Sequence, residues 1–347
     1  MPDAGAADPL RTVIQRLAMA APVAPEELTA GFDRIMAGNA TPAQVAAILI
    51  GLRVKGETGA EVAAVVRALQ RVMVPLDAAR PETLVDTCGT GGGTVRTFNI
   101  STAAALLAAG AGVRIAKHGN RSFTTECGSA DVLEALGVKI DVPVSVMERA
   151  LREAGIVFMF APLMHPAMRH VGPVRRELGI PTVMNIVGPL ANPARVGRQV
   201  IGVGDADRAP LLAAALAELG THHALVVHGA GMDEISPLGP TQVREVRDGA
   251  IAEWTIDPSR FGVAAATAAE LAGGPPPANA RAVLDVLEGK ASPGATAAVV
   301  LNAAAALYVG GVATSYDEGV EKARAAVRSG AGIAALERLR QAYAQPA

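Results

Sequence analysis

The sequence of 347 residues predicts an α/β protein, with a small N-terminal helical domain and a larger α/β domain built on a mixed sheet. Helix-start signals fill the first 75 residues, where no run of residues is typical of a strand. From about residue 81, short apolar runs alternate with helical sequence, as in a sheet covered by helices. The length suits about two domains, which we place at residues 1–80 and 81–347, with helices around 165–190 completing the first.

Two capping boxes predict a helical hairpin in the first domain. In the first box, Thr41 is followed by Pro42 at the first helical position and by Gln44, and an apolar stretch continues to Leu52. Lys55-Gly56 then supplies a basic last turn and a glycine stop. The second box, Thr58 to Glu61, begins a helix that we expect to end near Met73.

The second domain begins with strand and helix signals in alternation. Five short apolar runs are predicted as strands of a parallel or mixed sheet, and Asn99 or Ser101 is predicted to cap the helix after the first of them. Residues 241–256 predict an antiparallel hairpin that turns at Asp248-Gly249, and helices fill the chain after residue 277. The five predicted strands are 83–86, 113–116, 157–160, 199–203 and 224–227.

The stretch 86–125 has basic side chains and glycines but no acid between Asp86 and Glu126. Glycine N–H groups can close around an anion, which a carboxylate would repel, so the stretch predicts a site for a polyanion, most simply phosphate. The residues concerned are Gly89, Gly91, Gly92, Gly93, Arg96, Arg114, Lys117, His118 and Arg121.

The glycine cluster matches neither of two familiar phosphate-binding motifs. No Gly-Lys-Ser/Thr follows it, as a Walker A motif would require. Thr94 takes the third glycine position of a dinucleotide fingerprint, and the acid expected about 20 residues later is missing. A tight strand-to-helix turn without a ligand is therefore the alternative to a phosphate site.

A second polar segment, residues 117–122, follows the second predicted strand. Because ligands of open sheets lie beyond the carboxyl ends of strands, this segment and the glycine loop are expected at one edge. Asn99, Ser101 and Thr102 would then converge with Lys117 and Arg121 around one ligand. A solvated surface lysine is the alternative for Lys117.

Several isolated residues carry weaker signals. Asp233-Glu234 follows an apolar strand and could hold magnesium beside a diphosphate, although a solvated loop is the commoner arrangement. One of Arg175 and Arg176, which share a predicted helix, could reach a substrate carboxylate, although a solvated helix face is the commoner arrangement. The two cysteines, Cys88 and Cys127, are too few for a disulfide framework, and we interpret Cys88 as a small buried filler rather than a reactive thiol.

Composition excludes other classes of function. The net charge of −2 argues against a nucleic-acid binder that works by bulk electrostatics. Residues 291–316 carry no charge over a length that could cross a bilayer, but their alanine-rich composition favours a buried core helix, so no membrane partner is expected. The N-terminus lacks the apolar segment of a signal peptide, and we expect a cytoplasmic protein.

Eight motifs, ordered along nearly the whole chain, resemble the anthranilate phosphoribosyltransferase family. The resemblance implies the nucleoside-phosphorylase/phosphoribosyltransferase type of fold and a homodimer formed largely through the helical part. It also implies that anthranilate attacks C1 of 5-phosphoribosyl 1-diphosphate (PRPP) and releases diphosphate, in tryptophan biosynthesis. The motifs are GTGG at 89–92, TFNIST at 97–102, KHGNRS at 117–122, GSADVLEALG at 128–137, HPAMRHVGPVRRELGIPT at 165–182, VGPLANP at 187–193, MDEISP at 232–237 and LNAAAALYV at 301–309.

The resemblance also implies roles for individual residues. Gly89, Asn120 and Arg175 would contact anthranilate, with Arg175 facing its carboxylate, and Ser101, Asp233 and Glu234 would bind Mg²⁺. No covalent nucleophile or general base is assigned. The residues implied to bind PRPP are Gly89, Gly92, Gly93, Thr97, Asn99, Ile100, Ser101, Thr102, Lys117, His118, Gly119, Asn120, Arg121, Ser122, Phe123, Thr124, Thr125 and Ser129.

The chain departs from the family pattern at two places. The family usually reads GTGGD, and Gly93 stands where its aspartate is expected; we hypothesise that metal coordination or substrate positioning is altered while the reaction persists. Residues 123–127 replace the family's small residues and serines, although Thr124 and Thr125 keep hydroxyls. Two other functions remain as alternatives: a pyrimidine nucleoside phosphorylase, which would use inorganic phosphate without a divalent metal, and a non-catalytic paralogue that binds nucleic acid.

Overall fold

The computed structural model describes residues 8–122, 126–262 and 266–345. Within these ranges the chain forms helices, which precede, alternate with and follow the strands of one sheet. The helices are α1 Pro9–Ala18, α2 Pro25–Met36, α3 Pro42–Lys55, α4 Gly59–Val72, α5 Ile100–Gly110, α6 Ser129–Ala135, α7 Val144–Glu153, α8 Ala161–Met164, α9 Gly172–Leu178, α10 Val187–Leu190, α11 Ala209–Glu218, α12 Ala268–Leu271, α13 Pro276–Leu287, α14 Pro293–Val309, α15 Tyr316–Arg328 and α16 Ala331–Ala344. The strands are β1 Val85–Gly89, β2 Ile115–Gly119, β3 Ile156–Phe160, β4 Arg198–Gly202, β5 His223–Gly229, β6 Thr241–Arg247 and β7 Ala250–Ile256.

Both predicted capping boxes are formed in the N-terminal bundle. The Thr41 amide donates to the Gln44 side chain at 2.9 Å, and the Thr58 amide donates to the Glu61 side chain at 2.9 Å. Helix α3 ends at Gly56, whose φ of +86° suits a residue without a Cβ. From residue 8 to residue 75 the structure contains no strand, so the prediction of an all-helical first part is confirmed there.

The described strands form one mixed sheet in the order β3-β2-β1-β4-β5-β6-β7. The first five strands of that order run parallel, and β6 and β7 add an antiparallel hairpin at one edge. The chain moves outward from β1 through β2 to β3, and then returns to the other side of β1 as β4. The order therefore reverses between β1 and β4, which is where ligands of open α/β sheets bind.

The hairpin was predicted accurately, whereas two strand boundaries were wrong. Asp248 and Gly249 have φ values of +47° and +84°, as a two-residue type I′ turn requires. Residues 81–83 form a short 3₁₀-helix, and β1 instead extends to Gly89 because it pairs along its whole length with β4. Likewise β2 extends to Gly119 against β3, so 117–119 belong to a strand and not to a loop.

The two faces of the sheet belong to different apolar cores. One core joins α5, α14 and α16 to β1–β3, and α14 is buried along nearly its whole length, as predicted for a core helix. The other core joins the N-terminal bundle and residues 171–191 to α11 and to apolar residues of β4 and β5. None of the helices in the described ranges is long and apolar enough to traverse a bilayer.

Candidate active site

The glycine loop and the segment after β2 lie at the same edge of the sheet, as predicted, because β1 and β2 are parallel neighbours. The glycine loop is anchored to the end of β4 by two hydrogen bonds. The Thr90 amide donates to the Gly202 carbonyl at 2.9 Å, and the Gly204 amide donates to the Thr90 hydroxyl at 3.1 Å. The loop is thus fixed at the point where the strand order reverses.

Free backbone amides are concentrated in this loop. Gly91 and Gly92 are exposed and have φ values of +70° and +84°, a conformation that favours glycine. The Gly91 amide donates to Asp233 at 2.9 Å. The amides of Gly92 and Gly93 have no acceptor in the described parts of the chain. Successive amides of this kind form a cradle for an anion.

Asp233 and Glu234 contact this loop directly. A Cβ at Gly89 would lie 2.5 Å from Asp233 Oδ2, so the glycine there permits the approach. Glu234 accepts from the Ser101 amide at 3.1 Å, at the N-terminus of α5. The predicted magnesium residues are therefore brought together. The absence of acids holds along the sequence but not in space, because the fold returns two carboxylates to the loop.

The acid pair has the electrostatics of a cation site. Burial raises the pKa of Asp233, and burial together with the Asp233 charge raises the pKa of Glu234 to about 8. A bound divalent cation would stabilise both ionised carboxylates. In the described residues no group of three or more His, Cys, Asp or Glu side chains is arranged around a metal position. The pair therefore fits Mg²⁺ that takes its remaining ligands from phosphate and water.

Lys117 is buried, so the alternative prediction that it is a solvated surface lysine is wrong. Its side chain is on a central strand, is 3% exposed and donates to the Thr87 carbonyl. Its charge favours the ionised forms of Asp86 and Glu234. Burial nevertheless raises the pKa of Asp86 to about 6. Lys117 therefore lies behind the acid pair rather than in the solvent-facing part of the site.

Residues 120–122 are held by acids of α6. The Arg121 guanidinium lies 2.8 Å from Asp131 and 2.5 Å from Glu134, and the Ser122 amide donates to Asp131 at 3.2 Å. The Asn120 carbonyl accepts from the Ser129 hydroxyl at 3.3 Å. Arg121 is thus neutralised by carboxylates in this state. Phe123, Thr124 and Thr125, which the resemblance assigns to PRPP, lie outside the described residues.

At the N-terminus of α5 the predicted cap is not formed. Asn99 takes the N-cap position, but its side chain makes no capping bond, and it binds Asn279 and the Cys127 carbonyl instead. The Ser101 amide is taken by Glu234, and its carbonyl accepts from Thr87. Ile100 is fully buried and Thr97 bridges to Ala272, so both support the backbone of this turn. The Thr102 hydroxyl is buried and has no partner in the described chain.

Arg175 is the clearest candidate for binding a carboxylate. It lies on α9, it is half-buried, and burial lowers its pKa. Within the described residues its guanidinium has no hydrogen-bond or ion-pair partner. A partly desolvated cation without a partner is costly, and a bound anion would offset that cost.

His118 and His165 form a contact that the sequence did not indicate. Their ring centroids are 5.0 Å apart, and the Nε2 atom of each ring is buried without a hydrogen-bond partner in the described chain. Burial, and then the neighbouring His165, lowers the pKa of His118 to about 3. Burial lowers the pKa of His165 to about 4. Both rings are neutral at pH 7 and join the end of β2 to the segment that leads to α9.

Two other features lie outside this chemistry. Cys88 is half-buried, and burial raises the pKa of its thiol well above the usual value, which fits a filler rather than a nucleophile. A cavity of about 310 Å³ lies at the amino ends of β1, β4 and β5, opposite the glycine loop. Arg195, Gln199 and His222 are among the residues that line it. It is therefore separate from the candidate site.

Comparison with known families divides the chain as the fold does. Residues 81–333 match the model of the "Glycosyl transferase family, a/b domain". Residues 11–73 match the model of the "Glycosyl transferase family, helical bundle domain".

Individual relatives match over nearly the whole chain. The anthranilate phosphoribosyltransferase of Thermomicrobium roseum is 50% identical over 319 residues, 91% of each chain. The crystal structure of the Thermus thermophilus anthranilate phosphoribosyltransferase has a TM-score of 0.90 at 39% identity, covering 96% of this chain and 99% of that one. The Saccharomyces cerevisiae enzyme, solved in complex with PRPP and Mg, has a TM-score of 0.87 at 28% identity, covering 96% and 98%. The same yeast enzyme was also solved with 4-fluoroanthranilate.

Proposed function

The chain belongs to the anthranilate phosphoribosyltransferase family, and from this premise we propose how its own residues act on the two substrates. The protein transfers the phosphoribosyl group of PRPP to the amine of anthranilate, giving N-(5-phosphoribosyl)anthranilate and diphosphate, a step of tryptophan biosynthesis. Relatives of this activity match at 50% identity over 91% of the chain. Neither a pyrimidine nucleoside phosphorylase nor a nucleic-acid-binding paralogue has comparable support.

The donor side binds and stabilises the leaving diphosphate. The free amides of Gly92 and Gly93 donate to phosphate oxygens, and the N-terminus of α5 adds its dipole. Ser101, Asp233 and Glu234 hold Mg²⁺, which neutralises charge on the departing diphosphate when it is bound. The anomeric carbon gains positive character as that bond breaks.

The acceptor side orients anthranilate. The Arg175 guanidinium binds its carboxylate, and Asn120 and Gly89 contact the same substrate. An aromatic amine is already neutral at pH 7, so attack at C1 needs no strong general base. Positioning therefore supplies much of the remaining rate enhancement. No side chain of the chain is assigned as a covalent nucleophile.

One observation supports this assignment most strongly: the free amides of Gly92 and Gly93 follow directly after the Gly91 amide, which donates to Asp233 of the half-buried acid pair. The first feature binds phosphate and the second binds a hard cation, and a metal-bound diphosphate needs both. A phosphorylase using inorganic phosphate alone would leave the Asp233–Glu234 pair without a role.

The direct test is to mix the protein with PRPP, Mg²⁺ and anthranilate and follow the loss of anthranilate fluorescence. We expect loss only when all three are present, and recovery of the rate when Mg²⁺ is restored after chelation. The control without PRPP must stay flat. A flat trace with folded protein and all three components would contradict the function. Equal rates with and without chelator would contradict the role of the acid pair.

The proposal also covers the domain boundary, the oligomeric state and the location in the cell. The domain boundary near residue 80 is supported by the change from helices alone to a sheet between Val72 and Val85. A homodimer formed through the helical part is supported by exposed apolar side chains there: Met19, Val54 and Ile180 are 73%, 78% and 47% exposed. A cytoplasmic location is supported by a biosynthetic reaction between small soluble substrates.

A further inference from the structure

The side chain of Asn99 is diverted from the cap that its position would favour. An Asn at an N-cap normally accepts from an amide of the first helical turn. Here Asn99 Nδ2 donates to the Cys127 carbonyl at 3.2 Å, and Asn99 Oδ1 accepts from Asn279 Nδ2 at 2.9 Å. The helix gives up one stabilising bond, and this amide instead links the N-terminus of α5 to the segment before α6 and to α13.

Asn279 fixes which way round the Asn99 amide lies. The Gly274 amide donates to Asn279 Oδ1 at 2.7 Å, so Asn279 must present its NH₂ group to Asn99. Asn99 must therefore turn its oxygen to Asn279 and its NH₂ group to Cys127. Reversing either amide would bring two oxygens or two NH₂ groups together. Asn279 is 3% exposed, so water cannot readily replace a lost partner.

Both ends of this hydrogen-bonded chain reach the donor site. On one side, the Phe98 amide donates to the Leu271 carbonyl at 2.9 Å, which ties the start of α5 to the connection before α13. On the other side, Gly128 packs so closely on the turn at residues 120–122 that a Cβ would lie 2.6 Å from the Asn120 carbonyl oxygen. The position of Cys127 therefore sets the position of that turn.

We propose that Asn279 is a positioning residue for PRPP: through Asn99 it holds the N-terminus of α5 and the turn at residues 120–122 at a fixed separation. It does not touch substrate itself. This inference rests on the proposed function and assigns to α13 a part in donor binding, separate from the Arg175 side of the cleft.

The test separates the two substrates. Asn279→Ala removes both bonds, whereas Asn279→Asp keeps an acceptor for the Gly274 amide and loses the donor to Asn99. We expect each variant to raise the KM for PRPP about tenfold and to leave the KM for anthranilate within about twofold. Thr267→Ala is the matched control. It breaks the exposed capping box of α12, just before α13, and Thr267 makes no hydrogen bond to Asn99. It is expected to leave both KM values unchanged.

Two further measurements keep the test decisive. Calorimetric titration with PRPP and Mg²⁺ is expected to show the same tenfold loss of affinity, and thermal melting checks that both variants are folded. In a double-mutant cycle, Asn279→Ala is expected to add little to Asn99→Ala, because the proposed effect of Asn279 on PRPP passes through Asn99. Additive losses, or equal losses for PRPP and anthranilate, would overturn the inference.

Failure of this inference differs from failure of the proposed function. If the wild-type protein consumes anthranilate and the Asn279 variants bind PRPP as tightly as it does, only the positioning role is wrong. If the wild-type protein neither binds PRPP nor consumes anthranilate, the proposed function is wrong and the positioning role fails with it.

Discussion

Two adjacent arginines on α9 show how residue environment separates a binding side chain from a surface one. Arg175 is half-buried and Arg176 is exposed, and neither has an ion-pair partner in the described chain. An exposed guanidinium is well solvated and gains little from a partner. A half-buried one has lost part of its hydration, so an incoming carboxylate restores favourable interactions.

Replacing each arginine by alanine therefore gives a matched pair. We expect Arg175→Ala to raise the KM for anthranilate about 10- to 100-fold, because it removes a hydrogen bond between charged groups. The KM for PRPP should change little. Arg176→Ala is expected to change either KM by less than about twofold. Steady-state kinetics with each substrate varied in turn measures both effects. Equal changes in the two variants would contradict the assignment of Arg175.

Gly93, which replaces the family's aspartate, allows close packing beneath the acid pair. A Cβ at this position would lie 2.9 Å from the Gly231 carbonyl oxygen and 3.3 Å from the Asp233 amide nitrogen. The turn that carries Asp233 would have to move by a few tenths of an ångström to accept any side chain. The missing carboxylate is thus accompanied by a close approach of the backbone at Gly231 and Asp233 to the loop.

This arrangement predicts a change in magnesium dependence. Gly93→Ala tests the steric effect alone, and we expect it to raise the Mg²⁺ concentration for half-maximal activity about threefold or more, since about 0.7 kcal/mol of lost cation binding is enough. Gly93→Asp adds a carboxylate to the same displacement and is expected to need less Mg²⁺ than Gly93→Ala. Activity titrated with Mg²⁺ at saturating PRPP measures this. If the wild-type protein and both Gly93 variants gave superimposable Mg²⁺ profiles, the hypothesis that Gly93 alters metal coordination would be refuted.

At the scale of elements, the His118–His165 contact joins β2 to the 3₁₀-helix Pro166–His170. Both rings have folded-state pKa values, about 3 and about 4, below the value near 6.5 expected when unfolded. Between the folded pKa of each ring and the unfolded pKa near 6.5, the folded state therefore binds fewer protons than the unfolded state. Stability from both histidines is fully present above about pH 6.5 and is lost progressively as the pH falls towards 4 and below.

His165→Gln isolates one of these contributions. Between pH 7.5 and pH 5, the free energy of unfolding of the wild-type protein should fall by about 2 kcal/mol more than that of the variant. Glu234 and Asp86, whose raised pKa values act in the opposite direction, are present in both proteins and cancel in the difference. Urea unfolding at several pH values measures it. His222→Gln, at a ring about half exposed, is the control and should parallel the wild-type protein; a parallel His165→Gln curve would contradict the prediction.

Elements were predictable from sequence where their signals are local. The capping boxes at Thr41 and Thr58 and the turn at Asp248 are set by a few neighbouring residues, and all three formed as predicted. The strand ends and the Asn99 side chain depend on partners far along the chain. Asn279, which is 180 positions away in sequence, outcompetes the local cap, and pairing with β4 extends β1.

The composition of the site and the shared edge of the glycine loop and the segment after β2 were predictable, but the place of the acid pair and of Lys117 was not. Glycines, basic residues and the Asp233–Glu234 pair were all singled out as candidates. Their grouping requires β5 to lie beside β4 and β4 beside β1, which no local pattern specifies. The burial of Lys117 likewise follows from β2 being an interior strand. The hydrogen bond that Asn192 donates to Asp86 at 2.8 Å also joins distant parts of the chain, and no local pattern predicts it.

At the scale of the whole molecule, the helical bundle and the sheet share a continuous core. The cluster that contains α1–α4 extends through α11 to Val226 and Val246 on one face of the sheet. Helix α3 packs against both α1 and α9. The bundle is therefore well buried on its sheet side, yet its outer side exposes Met19, Val54 and Ile180. Large apolar side chains exposed on a helix and at the ends of others are typical of a surface that a second copy covers.

Charging that surface is expected to separate the proposed homodimer into single chains. Val54→Glu places a carboxylate at a side chain that is 78% exposed in the isolated chain, and burying it in a symmetric interface would bring two copies of the charge together. Light scattering during size-exclusion chromatography should give the mass of two chains for the wild-type protein and of one chain for the variant. Ile251→Glu, at a 46% exposed position on the β6–β7 hairpin, is the control and should remain dimeric. A monomeric wild-type protein would contradict the dimer itself. A Val54→Glu variant that stays dimeric would place the interface elsewhere, because an uncompensated pair of buried carboxylates costs several kcal/mol, about as much as a modest interface supplies.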